Sequence, residues 1–130
     1  MKRALLLLAH GARDPRWAAP FEDLAQRLRS LAPDAQVRLS YLDFIAPNLS
    51  SAAAELARAG NERIDVMPLF LGSGGHVRND VPRLLGALRR EHPQVQWHLH
   101  SAIGEVSAVI DAMALACLAA AELDTAGPGA

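Results

Sequence analysis

Apolar positions along this chain fall into two alternating kinds of run. Continuous stretches at Ala4 to Ala9, Val37 to Leu42, Ile64 to Leu71 and Val95 to Leu99 have the length of strands, the second and fourth with some alternation. Between them, apolar residues recur at helical spacing: Phe21, Leu24, Ala25, Leu28 and Leu31, then Leu49, Ala52, Ala53, Leu56 and Ala57, then Val81, Leu84, Leu85 and Leu88. Local punctuation supports these helices. Asn48 with Ser50 and Ser51 can cap the second, Gly60 suits a left-handed position at its end, and Asp80-Val81-Pro82 opens the third with proline in its first turn. A fourth helix is expected from about Glu105 to Glu122. The aperiodic stretch 125–130 is expected to fray, leaving 1–124 as a single domain.

Strand and helix alternating four times predict an α/β fold: a four-stranded parallel sheet with helices on both faces and right-handed crossovers. With the strand order 2-1-3-4, the first and third strands are neighbours and the chain reverses direction between them. Ligands of open α/β sheets bind at such a switch point, beyond the carboxyl ends of the strands. The first and third apolar runs lead to His10 and His76, each read as standing where a strand gives way to a loop.

Composition narrows the field. The 130 residues carry 13 Lys+Arg against 14 Asp+Glu, so no basic stripe suits a nucleic-acid backbone, and nucleic acid is excluded as a partner. Lys2-Arg3 before four leucines imitates a secretory leader, but the apolar segment is too short and Arg13 and Asp14 follow at once. The stretch Val106 to Ala121 is too short to span a bilayer and contains Asp111. The expectation is a cytoplasmic protein with no membrane partner. The lone Cys117 cannot form an internal disulfide and reads as a small core residue.

Neutral imidazole binds cobalt, nickel, iron or zinc and titrates near neutrality, so a facing His10 and His76 can hold a metal or move protons. Gly72-Ser73-Gly74-Gly75 between the third strand and third helix can form a backbone-lined floor, through left-handed conformations and peptide N–H groups presented to carboxylates or phosphates. It lacks the following Lys-Ser/Thr of a P-loop and the spacing of a nucleophile elbow. Arginine outnumbers lysine twelve to one, and Arg13, Arg16, Arg78 and Arg83 flank the two histidine segments, with Arg13 nearest to His10. His92 is expected exposed at a helix end. His98 and His100 share one face of the fourth strand, opposite Trp97 and Leu99, and read as packing or interface residues. The fourth helix is apolar around nearly its whole circumference and is therefore expected to be buried, partly within a homodimer.

The segments His10-Gly11-Ala12-Arg13-Asp14, Tyr41-Leu42-Asp43-Phe44 with Pro47, and Pro68 through Pro82 together resemble the sirohydrochlorin chelatases, specifically their small, single-domain cobaltochelatase-type members. The resemblance covers most of the chain from Leu5 to about Met113. It implies ATP-independent insertion of cobalt, nickel or ferrous iron into a carboxylate-rich reduced tetrapyrrole, with the metal as substrate and no organic cofactor. It also implies His10 as proton acceptor and metal ligand, His76 as second ligand, and substrate lying over Leu71, Gly72, Ser73, Gly74 and Gly75, near Arg13, Asp43 and the Ala46-Pro47 turn. The larger chelatases, with two such units in one chain, imply the same dimeric arrangement. This chain departs from the pattern at Ala46, where members often carry an acidic residue, and at Asp43, where glutamate is common.

The chemistry is consistent with that implication. Metallation removes two pyrrolic protons while a cation sheds water, so paired imidazoles can serve in turn as ligand and base. Two other readings of the same residues stay open: a non-catalytic metal or tetrapyrrole carrier, and a histidine-dependent phosphoryl-transfer enzyme.

Overall fold

The computed structural model describes residues 1–72 and 74–126; Ser73 and the side chain of His76 lie outside the described residues. Four strands, β1 (Arg3–Ala9), β2 (Gln36–Tyr41), β3 (Arg63–Pro68) and β4 (Gln96–Leu99), form one parallel sheet in the order β2-β1-β3-β4. The expected architecture and strand order are those observed.

Alternation along β1 sorts the core into two layers. Ala4, Leu6 and Leu8 face Ile64, Val66 and Trp97 together with α2 (Leu49–Arg58) and α3 (Gly75–Glu91). Leu7 and Ala9 face Val37, Leu39 and Tyr41 together with α1 (Ala19–Leu31). Leu6, Leu7 and Leu8 are fully buried, each contributing roughly 1.5–3 kcal/mol of transfer free energy. This central strand, covered on both faces, explains why its sequence is continuously apolar.

The local punctuation at α2 is as expected. The Asn48 side chain accepts from the Ser51 N–H at 2.8 Å, and Gly60 has φ +90°. At α3 the expectation fails. The helix begins at Gly75 rather than near Asp80, and Pro82 lies in its interior. Residues 75–79 carry no apolar periodicity, so the proline was the only visible start signal, and it was misleading. Likewise β3 ends at Pro68, three residues before the apolar run does, because the chain leaves the sheet at Leu69. Its last ladder contact is the Leu69 N–H to the Leu8 carbonyl at 2.7 Å.

The fourth helix, α4 (Ser107–Ala120), has no buried residue, and among the described residues its substantial contacts are with the short 3₁₀ turn Ile103–Glu105 that precedes it. It is not buried within the protomer, and Cys117 is exposed rather than part of the core. The sheet explains why. On the α1 side, β3 presents Arg63 and Asp65 instead of an apolar stripe, and an apolar helix laid there would strip water from charged groups. Of the tail expected to fray, Thr125 and Ala126 lie in no helix or strand, and the rest falls outside the described residues. Among the described residues no helix is long and apolar enough to cross a membrane.

Candidate functional site

β1 ends at Ala9, so His10 is the first residue beyond the central strand, at the switch point between β1 and β3. Parallel pairing continues past the strand ends and fixes its surroundings. On the β2 side, the Leu42 N–H donates to the Ala9 carbonyl at 3.0 Å and the Asp43 N–H to the His10 carbonyl at 2.9 Å. On the β3 side, the His10 ring packs against the buried ring of Phe70, centroids 4.3 Å apart. His10 is exposed, and among the described residues its ring has no hydrogen-bond partner, which leaves its nitrogens for a ligand or a proton.

Gly11 makes this arrangement possible. Its φ is +92°, and a Cβ there would stand 1.8 Å from the Asp43 carbonyl oxygen. Only glycine lets the two loops come so close. A second glycine does the same on the other side: a Cβ on Gly104 would lie 2.1 Å from the Leu71 carbonyl oxygen, and the Gly104 N–H donates to the Phe70 carbonyl at 2.9 Å. With its backbone pinned there, Leu71 turns its side chain outward, 71% exposed.

The glycines of the segment 72–75 act differently from expectation. Among the described residues the glycines with positive φ are Gly11 and Gly60, so Gly72, Gly74 and Gly75 are not left-handed. A Cβ on any of these three would meet nothing within 4 Å. Their contribution is open room above a bare backbone; Ser73 lies outside the described residues. Gly74 is the N-cap of α3 with no side-chain capping bond. His76 is therefore the second residue of a helix, not a loop residue at a strand end, and its side chain lies outside the described residues. Phe70 links the two histidine segments: it touches His10 and also lines a cavity of about 120 Å³ with Val77 and Arg78 from the first turn of α3.

Arg13 reaches over Phe44, its guanidinium carbon 5.2 Å from the ring centroid. Arg16 is instead turned onto Asp14, with an N–O separation of 2.8 Å. Asp43 and Ala46 are both exposed; Ala46 and Pro47, joined by a cis peptide bond, wall a polar recess with Glu22, Arg29, Arg38 and Tyr41. His92 caps the end of α3, half-buried, its carbonyl accepting from Trp97 Nε1 at 3.2 Å. His98 is exposed. Among the described residues no group of three or more His, Cys, Asp or Glu side chains gathers to form a metal cage.

The CbiX family model matches residues 4–117. The chain belongs to the CbiX family. Curated relatives include a sirohydrochlorin cobaltochelatase of Saccharolobus solfataricus, 37% identical over 63% of this chain and 62% of that protein. Another, of Methanocaldococcus jannaschii, is 35% identical over 68% of this chain and 62% of its own length. The match thus spans about three fifths of these CbiX-like relatives. Among solved structures, a CbiX protein from Marinobacter aquaeolei VT8 superposes with TM-score 0.80 at 32% identity, covering 92% of this chain and 98% of that one. SirB from Bacillus subtilis with Fe³⁺ shares the fold at TM-score 0.78 and 21% identity, over 92% of this chain and 48% of SirB.

Within this CbiX-family chain, sequence reasoning missed Phe44, Phe70 and Gly104 as parts of the site, and it quoted Gly11 without assigning it a role. Gly11 was detectable, because a glycine directly after a strand-end histidine marks close approach. Phe70 was hidden inside an apolar run, and Gly104 lies far along the chain from the loop it supports.

Proposed function

We propose that this chain inserts a divalent metal, cobalt, nickel or ferrous iron, into sirohydrochlorin, with residues 1–124 as its single domain. The observation that supports this best is the placement of His10 in a chain of the CbiX family: an exposed imidazole at the sheet's switch point, packed on Phe70 and followed by the close-approach glycine Gly11. His10 accepts a pyrrolic proton as a nitrogen of the macrocycle takes the metal, and His76 is the proposed second metal ligand. Two protons leave the ring, one to His10 and one to solvent, as one dication enters, so charge balances; the metal is a substrate, and the proposed reaction uses neither ATP nor an organic cofactor. Arg13 and the backbone of Leu71 to Gly75 hold the carboxylate-bearing ring, which raises the rate through proximity and orientation. Asp43 contributes through its backbone hold on His10, and Ala46 lines the turn beside it.

The functional unit is proposed to be a homodimer. Ile110 and Leu115 on α4 are 49% and 59% exposed, and α4 has no buried residue among the described ones. Completing the burial of such half-exposed side chains stabilises association by roughly 1 kcal/mol each.

Incubating the protein with sirohydrochlorin and Co²⁺, Ni²⁺ or Fe²⁺ tests the assignment by the change in macrocycle absorbance. Metallation accelerated over the protein-free rate is expected. Stoichiometric binding with no acceleration would replace this reading with that of a carrier.

A further inference from the structure

Phe44 is the residue of the site that the fold explains least. Its φ is +68°, and the Ile45 N–H donates to the Asp43 carbonyl at 2.8 Å, so Phe44 is the central residue of a left-handed γ-turn, the rarer and more strained kind. A non-glycine residue held there is strained. Its ring offsets little of that strain in the core, because it is 66% exposed. Glycine would relieve the strain and leave no apolar surface in water.

The turn is also held fixed. Asp43 donates to the His10 carbonyl, Gly11 lies against the Asp43 carbonyl, and the Tyr41 N–H closes the loop onto the Pro47 carbonyl at 3.0 Å. The Phe44 backbone is thus fixed one residue past the Asp43–His10 backbone bond, with the Arg13 guanidinium over its ring. Strain retained at an exposed aromatic, on a turn whose backbone is bonded to that of His10, is the pattern expected of a ligand contact.

We propose that Phe44 and Arg13 form a paired grip for the substrate: the Phe44 ring is a platform for the apolar face of a flat macrocycle, and Arg13 binds one of its peripheral carboxylates. Phe44 acts as a positioning residue that sets the plane of the ring relative to His10. This rests on the chelatase reading above, and its test separates the two. Binding of metal-free sirohydrochlorin is titrated by absorbance, and metallation with Co²⁺ is followed in parallel, for the wild-type chain and for Phe44→Ala, Phe44→Gly and Phe44→Tyr.

Losing the ring contact raises Kd and KM in the Ala and Gly variants by about tenfold, more than it lowers kcat, whereas Tyr retains both. Phe44→Gly unfolds at the same or a higher denaturant concentration than wild type, so weaker binding in that variant is not a loss of fold. Wild-type Kd and KM in both the Ala and Gly variants would overturn the grip while leaving the chelatase reading intact. Wild-type binding without metallation, together with weakened binding in Phe44→Ala, would overturn the chelatase reading and support the grip. A wild-type chain that neither binds nor metallates sirohydrochlorin would remove both.

Discussion

Nε2 of His100 lies 2.7 Å from Oδ1 of Asp65, so the first residue beyond β4 is tied to the middle of β3. The same carboxylate accepts from Arg3 at 3.1 Å and from both Nε and Nη2 of Arg63 at 3.1 and 3.0 Å. Burial pushes the Asp65 carboxyl up, but the bonds from Arg63, His100 and Arg3 more than offset it and hold it well below the usual carboxylate range. A depressed folded-state value stabilises the fold above the unfolded value near 3.8 and loses that contribution as pH falls through the folded value. Asp65→Asn is therefore expected to lower stability by about 2 kcal/mol at pH 7 and pH 5 alike. The gap to wild type closes only as the pH falls below about 4. Urea unfolding across that range checks it, and a gap already closing between pH 7 and 5 would contradict it.

Gly11→Ala places a methyl group where the Asp43 carbonyl oxygen stands, in a backbone region that alanine rarely adopts. The loops on either side of His10 must separate. Stability falls by about 3 kcal/mol or more, and metallation is lost with it. A denaturation midpoint equal to wild type would show that the close approach is not required.

His10→Ala removes an exposed side chain whose described packing is against Phe70. The expected cost in stability is below about 1 kcal/mol, while metallation falls by at least about a hundredfold. His76→Ala is expected to abolish metallation as well. Circular dichroism and turnover measured on the same samples separate these effects; wild-type turnover in either variant would end the proposed role of that histidine.

Charge introduced on α4 tests the dimer. Ile110→Glu together with Leu115→Glu is expected to convert a dimer at micromolar concentration to a monomer in light scattering. Each protomer should keep its fold, since α4 contributes no buried residue to it. A wild-type chain that scatters as a monomer at the same concentration would defeat the idea outright.

The alternation of strands and helices was legible because burial on both faces makes β1 continuously apolar and because the Asn48 cap and Gly60 are local signals; the strand order was assumed, and the structure has that order. The start of α3 was not, since the residues from Gly75 to Asn79 carry no periodicity and Pro82 imitates a first-turn proline. His10 could be placed from the end of an apolar run. The left-handed turn at Phe44 leaves no mark in the chain, because nothing about a phenylalanine announces positive φ. The Asp65 cluster draws on Arg3, Arg63 and His100 from three strands or their ends, and such convergence exists only once the register is known. The apolar character of α4 was read correctly, but the expected burial is not found within the protomer, where the helix has no buried residue.

Because His10 is the first residue past β1 and its carbonyl prolongs the β1–β2 ladder, the site has no adjustable joint between it and the core. Inserting or deleting one residue between Ala4 and Ala9 would exchange the two buried faces of β1, leucine for leucine, while turning the imidazole to the opposite side of the sheet. Such a length variant could keep much of its packing and still lose its function entirely. In this fold the counting of residues along one strand, more than the identity of its leucines, decides where the chemistry happens.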